Sequence, residues 1–159
     1  MRIISGFILS ILILFFGLGT TKAQSIFVDV NKVDSLQKVE QRPMIVFIHT
    51  NWCKYCQMMA KSSFTKAGLD KLISKKYYLI SIDAEEKNDI CFAGKKFRFV
   101  PGGNNVGTNE LAVQLGTIDE ELAYPSLCFL NEKYEIIYQK GGYASNTEVQ
   151  QILNVLAMN

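Results

Sequence analysis

The stretch MIVFIHT, Met44 to Thr50, limits the fold more than any other part of the chain. It is rich in β-branched and aromatic residues, follows Arg42-Pro43, and does not alternate between apolar and polar types. A strand with one wet face alternates, whereas a run that does not belongs to a strand covered on both faces. The chain must therefore supply helices for two sides of a sheet. The next residues read TNWCKYCQMM, with Cys53 and Cys56 at C-x-x-C spacing and a helical pattern reaching about Ser63, for which Asn51 is the expected N-cap. Such a pair is a zinc clip, a structural staple or a working redox centre, and the rest of the chain has to decide.

Further along, Ser25–Val30 reads as a short strand. Asn31–Gln41 reads as an amphipathic helix, with Val33, Leu36 and Val39 at spacing three, stopped by Pro43. GLDKLISKKY predicts another helix, and Tyr77–Asp83 a second buried strand. Residues 84–107 break this rhythm as an insert: ICFAGKKFRFV folds around Ala93-Gly94 as a small hairpin, and PGGNNVG reads as a loop. TNELAVQLG is a short helix, with Thr108 as its cap and Gly116 as its end. Tyr124–Asn131 and Tyr134–Lys140 form an antiparallel hairpin. A last amphipathic helix presents Val149, Ile152, Leu153 and Leu156 on one face. The order predicts an α/β fold, a central mixed β-sheet flanked by helices, in a single domain over residues 25–159.

Residues 1–23 read differently. Arg2 precedes an apolar core from Ile3 to Leu18, and Thr21-Lys22-Ala23 offers small residues for cleavage before Gln24. This is the pattern of a signal peptide. An uncleaved N-terminal anchor is the rival, because the core approaches the length that spans a bilayer. Either places the domain in the periplasm or another extracytoplasmic compartment. Arg2 and Lys22 are the only charged residues of the segment and the formal net charge is +2, so the remaining domain is neutral. That balance gives no case for binding nucleic acid.

Outside the cytoplasm, four cysteines first suggest staples. A disulfide across two residues closes too short a loop to stabilise much by chain entropy. Zinc needs further ligands at close spacing, whereas Cys91 and Cys128 are isolated and the single histidine is His49 on the strand. A redox pair needs a thiolate, which is both nucleophile and leaving group in disulfide exchange. A helix N-terminus favours that charge through its free N–H groups and dipole. Cys53 then attacks as the exposed member, and Cys56, one turn inward and shielded, resolves. Lys54 adds positive charge beside Cys53, and Tyr55 adds bulk; both are candidate redox-tuning residues. His49 is a candidate proton relay, weighed against simple hydrogen-bonded packing. Cys128 reads as a small buried hydrophobe. Whether it is bonded to Cys91 is left open, since spacing gives no distance. The insert reads as decoration rather than as a partner-recognising surface.

WCKYC after MIVFIHT, with YPS and a hairpin about seventy residues later, resembles the thioredoxin superfamily over nearly all of Ser25–Asn159. WCKYCQMMAKSSF is similar to the W-C-x-x-C-K-x-M motif of secreted bacterial thioredoxin-like proteins. The resemblance implies a thioredoxin-like fold with the insert ahead of a cis-proline strand. It implies that Pro125 is cis, that Tyr124 offers its main chain to a bound substrate, and that Trp52 walls the site. It also implies a thiol–disulfide oxidoreductase, as a reductase ahead of an oxidase, an isomerase or a non-catalytic binding module. No cofactor is implied, because the electrons reside in the cysteine pair. The implied partners are cysteine-containing secreted proteins and a membrane or periplasmic thiol redox protein, with the chain itself a monomer. One departure stands out: Phe47 occupies the strand position where thioredoxin carries a buried acid.

Overall fold

Met44–His49 (β1) is the strand around which the chain is built: Met44 to Ile48 are each at most 1% exposed. A computed structural model describes residues 25–65, 68–103 and 106–158. The signal or anchor reading for residues 1–23 lies outside them. Val33–Val39 (α1) precedes β1, then come Lys54–Ser62 (α2), Leu69–Lys76 (α3) and Tyr78–Asp83 (β2). Ile90–Phe92 (β3) and Lys95–Phe97 (β4) form one small hairpin; Phe99–Gly103 (β5) and Val106–Asn109 (β6) pair as another. Glu110–Gly116 (α4), Thr117–Ile118 (β7) and Glu121–Leu122 (β8) lead to Ser126–Leu130 (β9), Ile136–Gly141 (β10) and Asn146–Leu156 (α5).

The main sheet has the order β10-β9-β1-β2. β1 pairs in parallel with β2 and antiparallel with β9, so the sheet is mixed and β1 is internal, as its unbroken apolar run requires. Pleating sends alternate side chains to opposite faces. Met44, Val46 and Ile48 pack with Val33, the insert's Ile90 and Phe92, and Leu111 and Leu115 of α4. Ile45 and Phe47 pack with Met59 of α2, Ile73 of α3 and Leu153 of α5. The face that carries Phe47 is therefore the one on which the cysteine-bearing helix lies. Among the described residues, no helix is long and apolar enough to cross a membrane.

Several local expectations give way to geometry. The strand expected over Ser25–Val30 shrinks to a single parallel bridge, Val28 to Ile80. Asp29 ends it by accepting from the Asn31 amide, which turns Val30–Lys32 into a 3-10 helix. The loop expected at PGGNNVG contributes to two paired strands, β5 and β6. Pro101 lacks an N–H, which costs little in a two-stranded ribbon whose β5 is exposed from Val100 onward. Thr108 lies in β6 and does not cap α4; Asn109 does, accepting from the Leu111 amide. Cys91 and Cys128 are free, the first exposed and the second buried. Burial pushes the Cys128 thiol up to about 12, which fits a packing role.

Candidate active site at the end of the central strand

The chain leaves β1 at His49 and enters α2 at Lys54, so the cysteine motif straddles the junction. Cys53, not the expected Asn51, is the N-cap. Its backbone is extended, with φ −75° and ψ 107°, and its sulfur accepts from the Cys56 amide at 3.1 Å. Cys53 is thus the half-in residue at the positive end of the helix, where negative charge is favoured. Cys56, in the first turn, is joined to it by a disulfide with Cα atoms 5.2 Å apart. Cys53 is 7% exposed and Cys56 2%, so the order of accessibility matches the sequence reading. Cys53 is nonetheless far less open than that reading expects.

Asn51 is used elsewhere: its amide donates to the Asp83 carboxylate, and its carbonyl accepts from Gln57 Nε2 at 2.8 Å. Trp52 is 67% exposed, yet its indole N–H donates to Glu85 Oε1 at 3.0 Å. Its ring meets Tyr124 edge to face, with centroids 6.3 Å apart. The Tyr124–Pro125 peptide is cis. Pro125 anchors the next strand, its carbonyl accepting from the Gly142 amide at 2.8 Å. Burial raises the pKa of Tyr124, the nearby Thr108 side chain opposes that rise, and the charges of Glu85 and Asp83 add to it. Lys54 and Tyr55 face solvent on the first turn of α2.

His49 lies on the Phe47 face, its ring stacked on Phe47 at 5.1 Å. Its Nε2 is 2.7 Å from Ser81 Oγ on β2. Burial lowers the pKa of the imidazole, against the opposing pull of Asp83 and the Thr50 backbone, so the neutral ring is favoured. Phe47 is 1% exposed and packs among Phe27, Phe64 and His49, leaving hydrocarbon where a proton-accepting acid would stand.

The structure thus brings together Trp52, Cys53, Cys56 and Tyr124, the last joined to Pro125 by the cis peptide, and directs His49 toward Ser81. Asp83 and Glu85 are additions. Asp83 had one sequence signal, since a parallel partner of β1 places its last residue beside His49. Glu85 had none, because it acts across the fold.

Sheet order and strand–helix junction together define a class, the thioredoxin-fold proteins that carry a Cys-x-x-Cys disulfide. The chain belongs to the thioredoxin-like domain family, whose sequence profile matches residues 30–157. Among solved structures it is similar to a thioredoxin-fold protein from Helicobacter pylori, at 17% identity and TM-score 0.56, covering 89% of this chain and 80% of that one. It is similar to a thioredoxin from Thermus thermophilus, at 19% identity and TM-score 0.57, covering 84% and 88%. A disulphide isomerase from Xylella fastidiosa Temecula1 gives 20% identity and TM-score 0.53, covering 80% and 88%. These likenesses concern the fold. No curated protein sequence matches the chain significantly.

Proposed function

We propose that the protein is an extracytoplasmic thiol–disulfide oxidoreductase that reduces disulfides of other exported proteins. The observation that carries the reading is the Cys53–Cys56 disulfide at the N-terminus of α2, directly after the central strand. In the reduced enzyme, the Cys53 thiolate attacks one sulfur of a client disulfide. An enzyme–client disulfide forms, and the other client sulfur leaves as a thiolate that takes up a proton. Cys56 then loses its proton and attacks the Cys53 sulfur. That step closes the bond present in the structure and releases the second client thiol. Two electrons and two protons pass from the dithiol to the client, and a dithiol partner on the exported side restores the enzyme.

Tyr124 and Pro125 shape the cleft in which the client's extended backbone lies, with Trp52 as one wall. Lys54 favours the Cys53 thiolate. With Phe47 below and His49 engaged by Ser81, water carries the Cys56 proton. The compartment follows from the export pattern of residues 1–23.

Insulin reduction with a thiol donor tests the activity. The wild-type protein accelerates it, and Cys53→Ser returns it to background; full activity in Cys53→Ser contradicts the mechanism. Cys56→Ala accumulates mixed disulfides with clients on Cys53, and a variant that traps none contradicts turnover at this site.

A further inference from the structure

Asn51 is bonded from both sides of the turn that leads to the cysteines. Its side-chain amide donates to the carboxylate of Asp83, the last residue of β2. Its carbonyl accepts from Nε2 of Gln57, the residue after Cys56, at 2.8 Å. The Asp83 end is anchored in the sheet. β2 pairs with β1 as far as His49 and Asp83, and the Ala84 amide donates to the His49 carbonyl at 2.7 Å. Asp83 Oδ1 also accepts from the Glu85 amide at 3.0 Å. The Gln57 end is anchored in the helix, where the Gln57 amide donates to the Cys53 carbonyl at 3.1 Å. The Gln57 side chain thus closes a ring over residues 51–57, and both cysteines lie within it. Asn51 is free for this use because Cys53, not Asn51, caps α2. Asn51 and Gln57 are exposed, so neither bond serves the core.

We infer that Asn51, clamped between Asp83 and Gln57, is a positioning residue for the step that closes the Cys53–Cys56 bond. The inference rests on the oxidoreductase reading above and adds which residues set how readily the pair closes. In that step the Cys56 thiolate attacks the Cys53 sulfur. The Cys53–Cys56 bond forms, the bond from Cys53 to the client breaks, and the client sulfur leaves as a thiolate that takes up a proton. Cys56 is fixed within α2, whereas Cys53 stands at its edge and depends on the turn ahead of it. Two groups held in place join more readily than two that wander. The clamp therefore speeds closure and favours the disulfide over the dithiol, which makes the dithiol a stronger reductant.

The test uses the full chain with Gln57→Leu and Asn51→Ala, each of which removes one bond of the clamp and changes no charge. Both sites are exposed, and thermal unfolding checks that the variants are folded. A symmetric aromatic disulfide releases one coloured thiolate when Cys53 attacks and another when Cys56 closes the bond, so stopped-flow absorbance separates the two steps. Each variant should slow the second phase roughly 3- to 10-fold, the equivalent of one hydrogen bond, with the first held within about twofold. The equilibrium constant for the disulfide against a dithiol buffer should fall by a similar factor, and a tenfold fall is about 30 mV toward a more oxidising couple. A purely structural role would lower the unfolding temperature and leave both quantities at the wild-type value. An unchanged second phase, equal slowing of both phases, or an unchanged equilibrium constant would overturn the inference. Neither readout needs a protein client, so those results remove this inference alone; a wild type inactive on insulin removes the reductase reading.

Discussion

The two sides of the proposed client cleft are built by different physics. The cysteine wall is local: a buried strand ends, a cysteine caps the next helix, and Cys53 and Cys56 meet within one turn. The opposite side is assembled from distant segments: Glu85 after β2, in a loop held by Asn109 at the end of β6, bonds Trp52, and Tyr124 before β9 meets the Trp52 ring. A local wall forms whenever its strand and helix form. An assembled wall depends on β6 being docked beside the loop that carries Glu85.

That contrast breaks or sharpens under defined changes. Gly107→Ala strikes the assembled wall hardest. A Cβ there would lie 2.5 Å from the Val100 carbonyl oxygen and 2.4 Å from Phe99 Cζ, so β5 and β6 must shift. The expected loss is about 1–3 kcal/mol of stability by thermal unfolding. Exchange with a small aromatic disulfide should persist in the folded variant, because the cysteine wall stands apart; its loss would show that the two walls are one unit.

Asp34 anchors the insert from the other side of the molecule. Its carboxylate accepts from the Ala93 and Gly94 amides and from the Tyr134 hydroxyl. Asp34→Ala should cost about 1–2 kcal/mol. Burial pushes the Asp34 pKa up, but the bonds from Gly94, Tyr134 and Ala93, with Lys38 nearby, bring it below its ordinary 3.8. A depressed carboxyl stabilises the fold above its unfolded pKa and loses that contribution as pH falls through the folded value. The variant should therefore lose part of the wild-type decline in stability below about pH 4, as read by denaturant titration across pH.

Ser145→Ala is the control, since it touches neither wall. Ser145 Oγ accepts from the Glu148 amide, and the Glu148 carboxylate accepts from the Ser145 amide. Removing this capping box should cost about 1 kcal/mol and leave insulin kinetics unchanged. The smallest effect is expected at His49. Its pKa is lowered by burial, so its contribution to stability is complete above about 6.5 and is lost as pH falls toward the folded value. His49→Gln should flatten stability over that interval. If it also slows exchange tenfold, the proton of Cys56 passes through the imidazole rather than through water.

What the sequence disclosed follows the same division. Met44–His49 was legible because five successive buried residues leave no other reading, and Cys53-x-x-Cys56 because its spacing fits one helical turn. The last helix was legible from Val149 and Leu153, both buried as their period requires. The β5–β6 pairing was hidden because Pro101 and its glycines read as breakers, while register is set by partners such as Phe99 and Asn109. The β7–β8 turn was hidden for a related reason. Asp119 and Glu120 both take positive φ, 49° and 68°, without the glycine that usually marks such a turn. The Asn109 cap was within reach, since asparagine caps at least as well as threonine. Glu85, Trp52 and Tyr124 meet in space, but nothing in their spacing expresses it.

The reduction potential of the Cys53–Cys56 couple tests the central claim most directly. It can be read from Trp52 fluorescence during equilibration with a dithiol buffer, because Trp52 adjoins Cys53 and is the only tryptophan. A reductase predicts a value near about −270 mV, and a value near about −120 mV would make the protein an oxidant and contradict the account.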